Sequence, residues 1–84
     1  MSRVLKHPHV TEKSMDEMDF QNKLIFIVDE AATKPEIVAA AEDRYDITVE
    51  GVNTQITPDA EKKATLALSD ADDAQEIASR IGVF

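Results

Sequence analysis

Apolar positions along the chain fall into runs with different periods. Leu24-Ile25-Phe26-Ile27-Val28 is unbroken and rich in β-branched residues, which predicts a strand over 22–29 buried on both faces and central in its sheet. Thr33-Lys34-Pro35-Glu36 has the spacing of a capping box with proline in the first turn. Ile37, Ala40, Ala41 and Tyr45 follow at helical spacing, so the pattern predicts a helix over 34–45 with one apolar stripe. Ile47 and Val49 alternate, then Val52, Thr54 and Ile56 alternate in the opposite phase. That slip at Glu50-Gly51 predicts a β-bulge within a strand over 47–57. Pro58-Asp59-Ala60 reads as a turn, and Ala64, Leu66 and Leu68 as the returning strand of a hairpin. Ser69-Asp70-Ala71-Asp72 fits a second capping box. It precedes a stripe of Ala74, Ile77, Ala78 and Ile81 that Gly82 would close as C′ residue. The N-terminal third carries weaker signals, a short strand near Arg3–Lys6 and a helix from Thr11 to about Met18.

The order β-α-β-α-β-β-α predicts an α+β fold of ferredoxin-like shape. The hairpin's second strand slots between strands 22–29 and 47–57, giving a mixed but mainly antiparallel four-stranded sheet. Helices packed on the sheet are expected on both faces, as the doubly apolar strand at 24–28 requires.

At 84 residues the chain is one domain, 1–84, that buries only roughly 60% of its unfolded surface, so a permanent partner would supply what the core lacks. It has no cysteine, hence neither disulfides nor thiolate metal sites. No apolar run approaches the roughly 20 residues of a membrane span, and no signal-peptide stretch opens the chain. The expected compartment is the cytoplasm, without membrane insertion.

Charge changes the picture. Seventeen Asp and Glu against nine Lys and Arg give a net charge of -8. The sum argues against phosphate as a partner, but the distribution does not. Residues 1–13 are net +2, residues 14–61 net -9 and residues 62–84 net -1. Positive charge gathers on the N-terminal arm, with Arg3, Lys6 and Lys13, and at Lys62-Lys63. The acids Asp16, Glu17, Asp19, Glu42, Asp43 and Asp46 read as a solvated surface.

His7-Pro8-His9 sets two imidazoles one residue apart, but no third ligand or supporting shell is evident, so no metal is expected. Asp70, Asp72 and Asp73 resemble the opening of a calcium loop, but Ala74 and Gln75 follow where a further oxygen ligand and glycine are needed. Helix capping explains them better. With no cysteine nucleophile, glycine-rich phosphate loop or nucleophile elbow, no catalytic residue and no cofactor is assigned. Asn22-Lys23, Asn53-Thr54-Gln55 and Lys62-Lys63 lie at strand ends and along the hairpin, where either edge-strand solvation or RNA contact would account for them.

Five segments in order resemble one family. His7-Pro8-His9-Val10-Thr11-Glu12-Lys13, Asn22-Lys23-Leu24-Ile25-Phe26-Ile27-Val28-Asp29, Val52-Asn53-Thr54-Gln55, Pro58-Asp59-Ala60-Glu61-Lys62-Lys63-Ala64 and Ala78-Ser79-Arg80-Ile81-Gly82-Val83-Phe84 are similar to the large-subunit ribosomal protein twenty-three family, in its archaeal type. The resemblance implies a ribosomal-plait fold and a structural role on the large subunit. The family binds large-subunit ribosomal RNA at the outer rim of the polypeptide exit tunnel, beside neighbouring proteins such as number twenty-nine. It helps dock signal recognition particle or other nascent-chain factors. It is not a homo-oligomer.

Carried onto this sequence, the resemblance and the charge pattern together assign RNA contact to Arg3, Lys6, Lys13, Lys23, Lys62 and Lys63. His7, His9, Thr11, Asn22, Asn53, Gln55 and Thr57 would add polar contacts, and Glu12 matches a factor-docking glutamate of bacterial members. The sequence departs from the family at Ala60, where a turn glycine is usual, at Ala67, where a base is usual, and in helix 34–45, which is usually basic. Only Gln55–Glu61 links the hairpin strands, so the long insertion of bacterial members is absent. The acidic excess points to a salt-adapted source. At about 1 M salt the Debye length is about 3 Å, which screens acid–phosphate repulsion. An acidic ferredoxin-like protein-interaction module unrelated to the ribosome is the alternative reading.

Overall fold

The apolar run at 24–28 sets the architecture. In the computed structural model, which describes residues 4–9, 15–16 and 21–81, it forms the core of strand β2 (Lys23–Val28). The other elements are β1 (Leu5–Pro8), α1 (Lys34–Tyr45), β3 (Val49–Ile56), β4 (Lys62–Leu68) and α2 (Ala74–Ile81). The strands make one sheet in the order β1-β2-β4-β3, and every neighbouring pair is antiparallel. The α+β expectation therefore holds, while the expected mixed sheet is antiparallel throughout. β4 lies between β2 and β3, which run in the same direction without touching. The predicted helix over 11–18 lies outside the described residues apart from Met15 and Asp16, which are helical and exposed, and Gly82 lies outside them too.

All five residues Leu24 to Val28 are buried, but not in one core. Side chains alternate across a strand. Leu24, Phe26 and Val28 join Ala64, Leu66 and Leu68 of β4, Ile37 and Ala41 of α1, and Ala74, Ile77 and Ala78 of α2 in a single cluster. Both described helices thus pack on the same face of the sheet, and the expectation of helices on both faces is corrected to that extent. The far face carries Ile25 and Ile27, 8% and 1% exposed, which lie outside that cluster.

Local chemistry explains the helix ends. Thr33 caps α1: its Oγ1 accepts from the Glu36 N–H at 3.4 Å, and Glu36 Oε1 accepts from the Thr33 N–H at 3.0 Å, the reciprocal box expected from the sequence. Asp46, in the left-handed region at φ 54°, closes the helix with its N–H on the Glu42 carbonyl. The second box is a correction. α2 starts at Ala74, and Asp73 Oδ1 accepts from the Gln75 N–H at 2.9 Å. Ser69 and Asp72 serve elsewhere: Asp72 Oδ2 accepts from the Ser69 hydroxyl at 3.1 Å and from the Thr48 N–H at 2.8 Å. They tie the loop before α2 to the chain entering β3.

The hairpin is also specific. The register shifts between Val49 and Gly51, leaving Glu50 as the extra residue of a bulge that brings Val52 opposite Leu66 in the core. The Thr57 carbonyl accepts from Ala60 at 2.9 Å, and its N–H donates to the Glu61 carbonyl at 2.8 Å. This is a three-residue loop of Pro58, Asp59 and Ala60 whose last residue sits at φ 63°, the conformation glycine takes most readily. Ile56, whose alternation with Val52 suggested burial, is instead 65% exposed. It pairs with Lys62 at the distal end of the hairpin, where the core cluster no longer reaches.

Candidate nucleic-acid interface

Residues directly opposite one another in an antiparallel pair project to the same face. Ile25 and Asn53 both oppose Thr65, Ile27 and Gln55 both oppose Lys63, and Lys23 and Gly51 both oppose Ala67. These three rows, the Ile27 row continued by His7 of β1, make up the far face of the sheet. Exposure on it rises toward β3: Ile25 and Ile27 are buried, Lys63, Thr65 and Ala67 half-buried, Asn53 and Gln55 exposed. The accessible half therefore presents Lys63, Thr65, Asn53 and Gln55, with Lys23 at its end. No registered position in the three rows is a carboxylate.

The acids lie elsewhere, and several have structural tasks. Asp29 Oδ1 accepts from the Ala31 N–H at 2.9 Å, and Glu42 Oε2 accepts from the Val49 N–H at 2.9 Å, anchoring the start of β3. Glu42, which the sequence suggested was only solvated surface, thus holds a strand in place. Hydrogen bonds from the backbone and hydroxyl of Thr33 hold the Glu36 carboxyl below its ordinary value. Among the described residues the one ion pair is Arg80–Glu76, at 2.9 Å on exposed side chains. In a chain with seventeen acids, Lys23 and Lys63 have no ionic partner among the described residues.

The predicted contact residues separate into groups. Lys23, Asn53, Gln55 and Lys63 come together on the far face. Lys62 does not join them: adjacent strand residues point oppositely, and its Nζ donates to the Ala32 carbonyl at 2.6 Å. The Lys62-Lys63 pair is thus one strut and one cation free of ion pairs among the described residues. Thr57 orders the turn, its Oγ1 accepting from the Glu61 N–H at 3.1 Å.

Asn22 is also engaged within the protein. Its Nδ2 donates to the carbonyls of Ser69, at 3.2 Å, and Asp72, at 2.9 Å, while its Oδ1 accepts from the Ala74 N–H at 2.7 Å. It is therefore a clamp on the start of α2. Lys6, His7 and His9 lie on or beside β1, the opposite edge of the sheet, with Lys6 and His7 exposed. Arg3, Thr11, Glu12 and Lys13 lie outside the described residues.

Sequence reasoning missed Arg44, at the end of α1, and read its neighbour Tyr45 only as part of the helix's apolar stripe. Tyr45 stacks on Phe26 with centroids 5.7 Å apart, and the Arg44 guanidinium lies over the Tyr45 ring, 5.5 Å from its centroid.

The family profile described as Ribosomal protein L23 matches residues 3–75. Among curated proteins, the chain is 68% identical over 84 residues to the large ribosomal subunit protein uL23 of Halobacterium salinarum, covering all of both chains. It is 67% identical over 81 residues to that of Haloarcula marismortui, covering 96% of this chain and 95% of the relative. The uL23 protein of Methanococcus aeolicus is 40% identical over 81 residues, covering 96% of this chain and 94% of the relative.

Proposed function

The chain belongs to the ribosomal protein L23 family, and from that premise we propose that it binds large-subunit ribosomal RNA through the far face of β3 and β4, at the outer rim of the polypeptide exit tunnel. The family is one of structural ribosomal proteins rather than enzymes, and relatives from the salt-loving archaea Haloarcula, Halobacterium and Haloquadratum are 66–68% identical to this chain. Membership also removes the alternative of a module unrelated to the ribosome.

The observation that carries the RNA reading is the sorting of charge. A face that, among the described residues, has two lysines without an ion pair, two exposed amides and no carboxylate in its registered rows, on a chain of net charge -8, fits a phosphate backbone better than any other part of the described surface. The amides supply what lysine cannot in high salt. There, counterion release contributes less to affinity, and hydrogen bonds to 2′-hydroxyls and phosphates contribute proportionally more.

Position at the rim is supported by the hairpin. It ends in the loop Pro58-Asp59-Ala60, which is too short to line a tunnel. Docking of signal recognition particle or other nascent-chain factors, with Glu12 as a contact, and a neighbouring protein twenty-nine belong to the same proposal and rest on the family resemblance.

The test uses the full chain in molar potassium chloride. Tagged protein should co-sediment with large subunits, and Lys63→Glu should lower its affinity for purified large-subunit RNA about tenfold, as loss of a charge-assisted contact would. Absence of the wild-type chain from large subunits would refute the reading.

A further inference from the structure

A cleft of about 220 Å³ opens beside β1, lined by Lys6, His7 and Pro8, by Arg44 and Tyr45 at the end of α1, and by Ile81. β1 is the free edge of the sheet opposite β3, so this cleft lies at the other edge from the exposed lysine–amide positions, with His7, which opposes Ile27, on the far-face side of that edge. Its character is unusual for so acidic a chain: it brings two permanent cations and an imidazole together, and no carboxylate lines it. Arg44 forms no ion pair among the described residues, whereas Arg80, the other described arginine, pairs with Glu76.

What orders Arg44 is the aromatic column beneath it. Phe26, 1% exposed, supports Tyr45 from within the core, and the exposed guanidinium rests over Tyr45. A planar guanidinium seated over an aromatic ring can offer its outer surface as a stacking platform. The cleft is below the range of about 300–1,000 Å³ that whole small-molecule ligands occupy, so it suits a single planar group. A plane for stacking, with the Lys6 ammonium and the His7 imidazole at the lip as hydrogen-bond donors, matches a base and its phosphate.

We infer that this cleft holds one unstacked nucleotide of RNA, its base on the Arg44 guanidinium and its phosphate at Lys6 and His7. The inference rests on the RNA-binding reading above and adds a second anchor at the opposite sheet edge. Two separated anchors fix the orientation of the protein on its RNA, which one cationic face does not.

The test compares Arg44→Ala, Arg44→Lys and Lys63→Glu in the full chain for binding to purified large-subunit RNA in molar salt. Melting curves establish that each variant folds, and Lys6→Ala serves as a second probe of the cleft should Arg44→Ala disturb the melt. Arg44→Lys keeps the charge and removes the plane, so both Arg44 variants should lose about tenfold in affinity, the scale of one base stack. Combining either with Lys63→Glu should multiply the losses. Arg44 variants that bind like wild type while Lys63→Glu fails would overturn the cleft site and leave the RNA reading standing. Loss in Arg44→Ala but not in Arg44→Lys would overturn the stacked base in favour of a bare phosphate contact. A wild-type chain that does not bind the RNA would overturn both.

Discussion

Replacing Asn22 with alanine separates a structural role from an RNA-contacting one. The side chain makes three hydrogen bonds to the loop before α2, and the Ala74 N–H it accepts belongs to a fully buried residue. Its loss resembles removal of a helix cap, which costs about 0.5–2 kcal/mol. The Asp72 carbonyl loses its donor in a half-buried setting, and the Ser69 carbonyl loses one of two and keeps the Asp72 N–H, which adds about 1 kcal/mol. Asn22 also sits at φ 54°, where alanine is disfavoured by about 1 kcal/mol.

The sum is about 2–4 kcal/mol, against a total of roughly 4–13 kcal/mol for a chain of this length. At about 4–8 °C per kcal/mol the melting temperature should fall by about 8–32 °C. Thermal denaturation of the full chain in molar salt measures this. Asn22→Gly should recover about 1 kcal/mol of the loss, because it relieves the backbone and restores no hydrogen bond. A melting temperature unchanged in Asn22→Ala, with RNA affinity reduced, would refute the clamp and make Asn22 an RNA ligand.

Ala60, at φ 63° in the hairpin loop, should gain about 0.5–1 kcal/mol on replacement by glycine, read as a raised melting temperature. Gly51 behaves oppositely. A Cβ there would meet only the Ala67 Cβ at 3.7 Å, an ordinary contact, so Gly51→Ala should be neutral or stabilising by up to about 1 kcal/mol, and a clear loss of stability would contradict the described bulge. Glu36 is held below its ordinary carboxyl value of 4.5 by its bonds to Thr33. A depressed folded-state value stabilises above the unfolded value and is lost as pH falls through the folded one. Glu36→Gln should therefore be less sensitive than wild type to acid below about pH 4.5, in parallel pH titrations of stability.

What the sequence revealed depended on the range of the interactions involved. The bounds of α1 were legible because Thr33, Pro35 and Glu36 encode its start within four residues. The bulge was legible because a period of two makes a one-residue slip visible. The cap of α2 was not. Ser69 and Asp72 have the right spacing, but the helix starts at Ala74, where Asp73 accepts from the Gln75 N–H and Asn22, some fifty residues earlier, from the Ala74 N–H. The separation of Lys62 from Lys63 follows from strand alternation, although only the register shows which of them meets Ala32. The cleft at β1 was beyond reach, since it needs an edge strand to lie against the ends of two helices. Arg44 belongs to no motif, and Tyr45 only to the apolar stripe of α1.

Net charge misled for a related reason. It sums over a chain whose strands distribute alternate residues to opposite faces, while RNA meets one face at a time. The described far-face rows hold Lys23 and Lys63 and no acid, whereas α1 and the loops hold Glu36, Glu42, Asp43, Asp46 and Asp72. The shortest dimension of the molecule is 21 Å, and at about 1 M salt the Debye length is about 3 Å. Acids on the helical surface thus lie up to several screening lengths from anything touching the sheet. Their repulsion of RNA is negligible under those conditions, but it grows as salt is withdrawn and the screening length approaches the thickness of the protein. The same carboxylates that hold water at the helical surface in brine become an obstacle to RNA in dilute buffer. The acidic surface and the cationic face are therefore compatible only in salt, where each is electrostatically local.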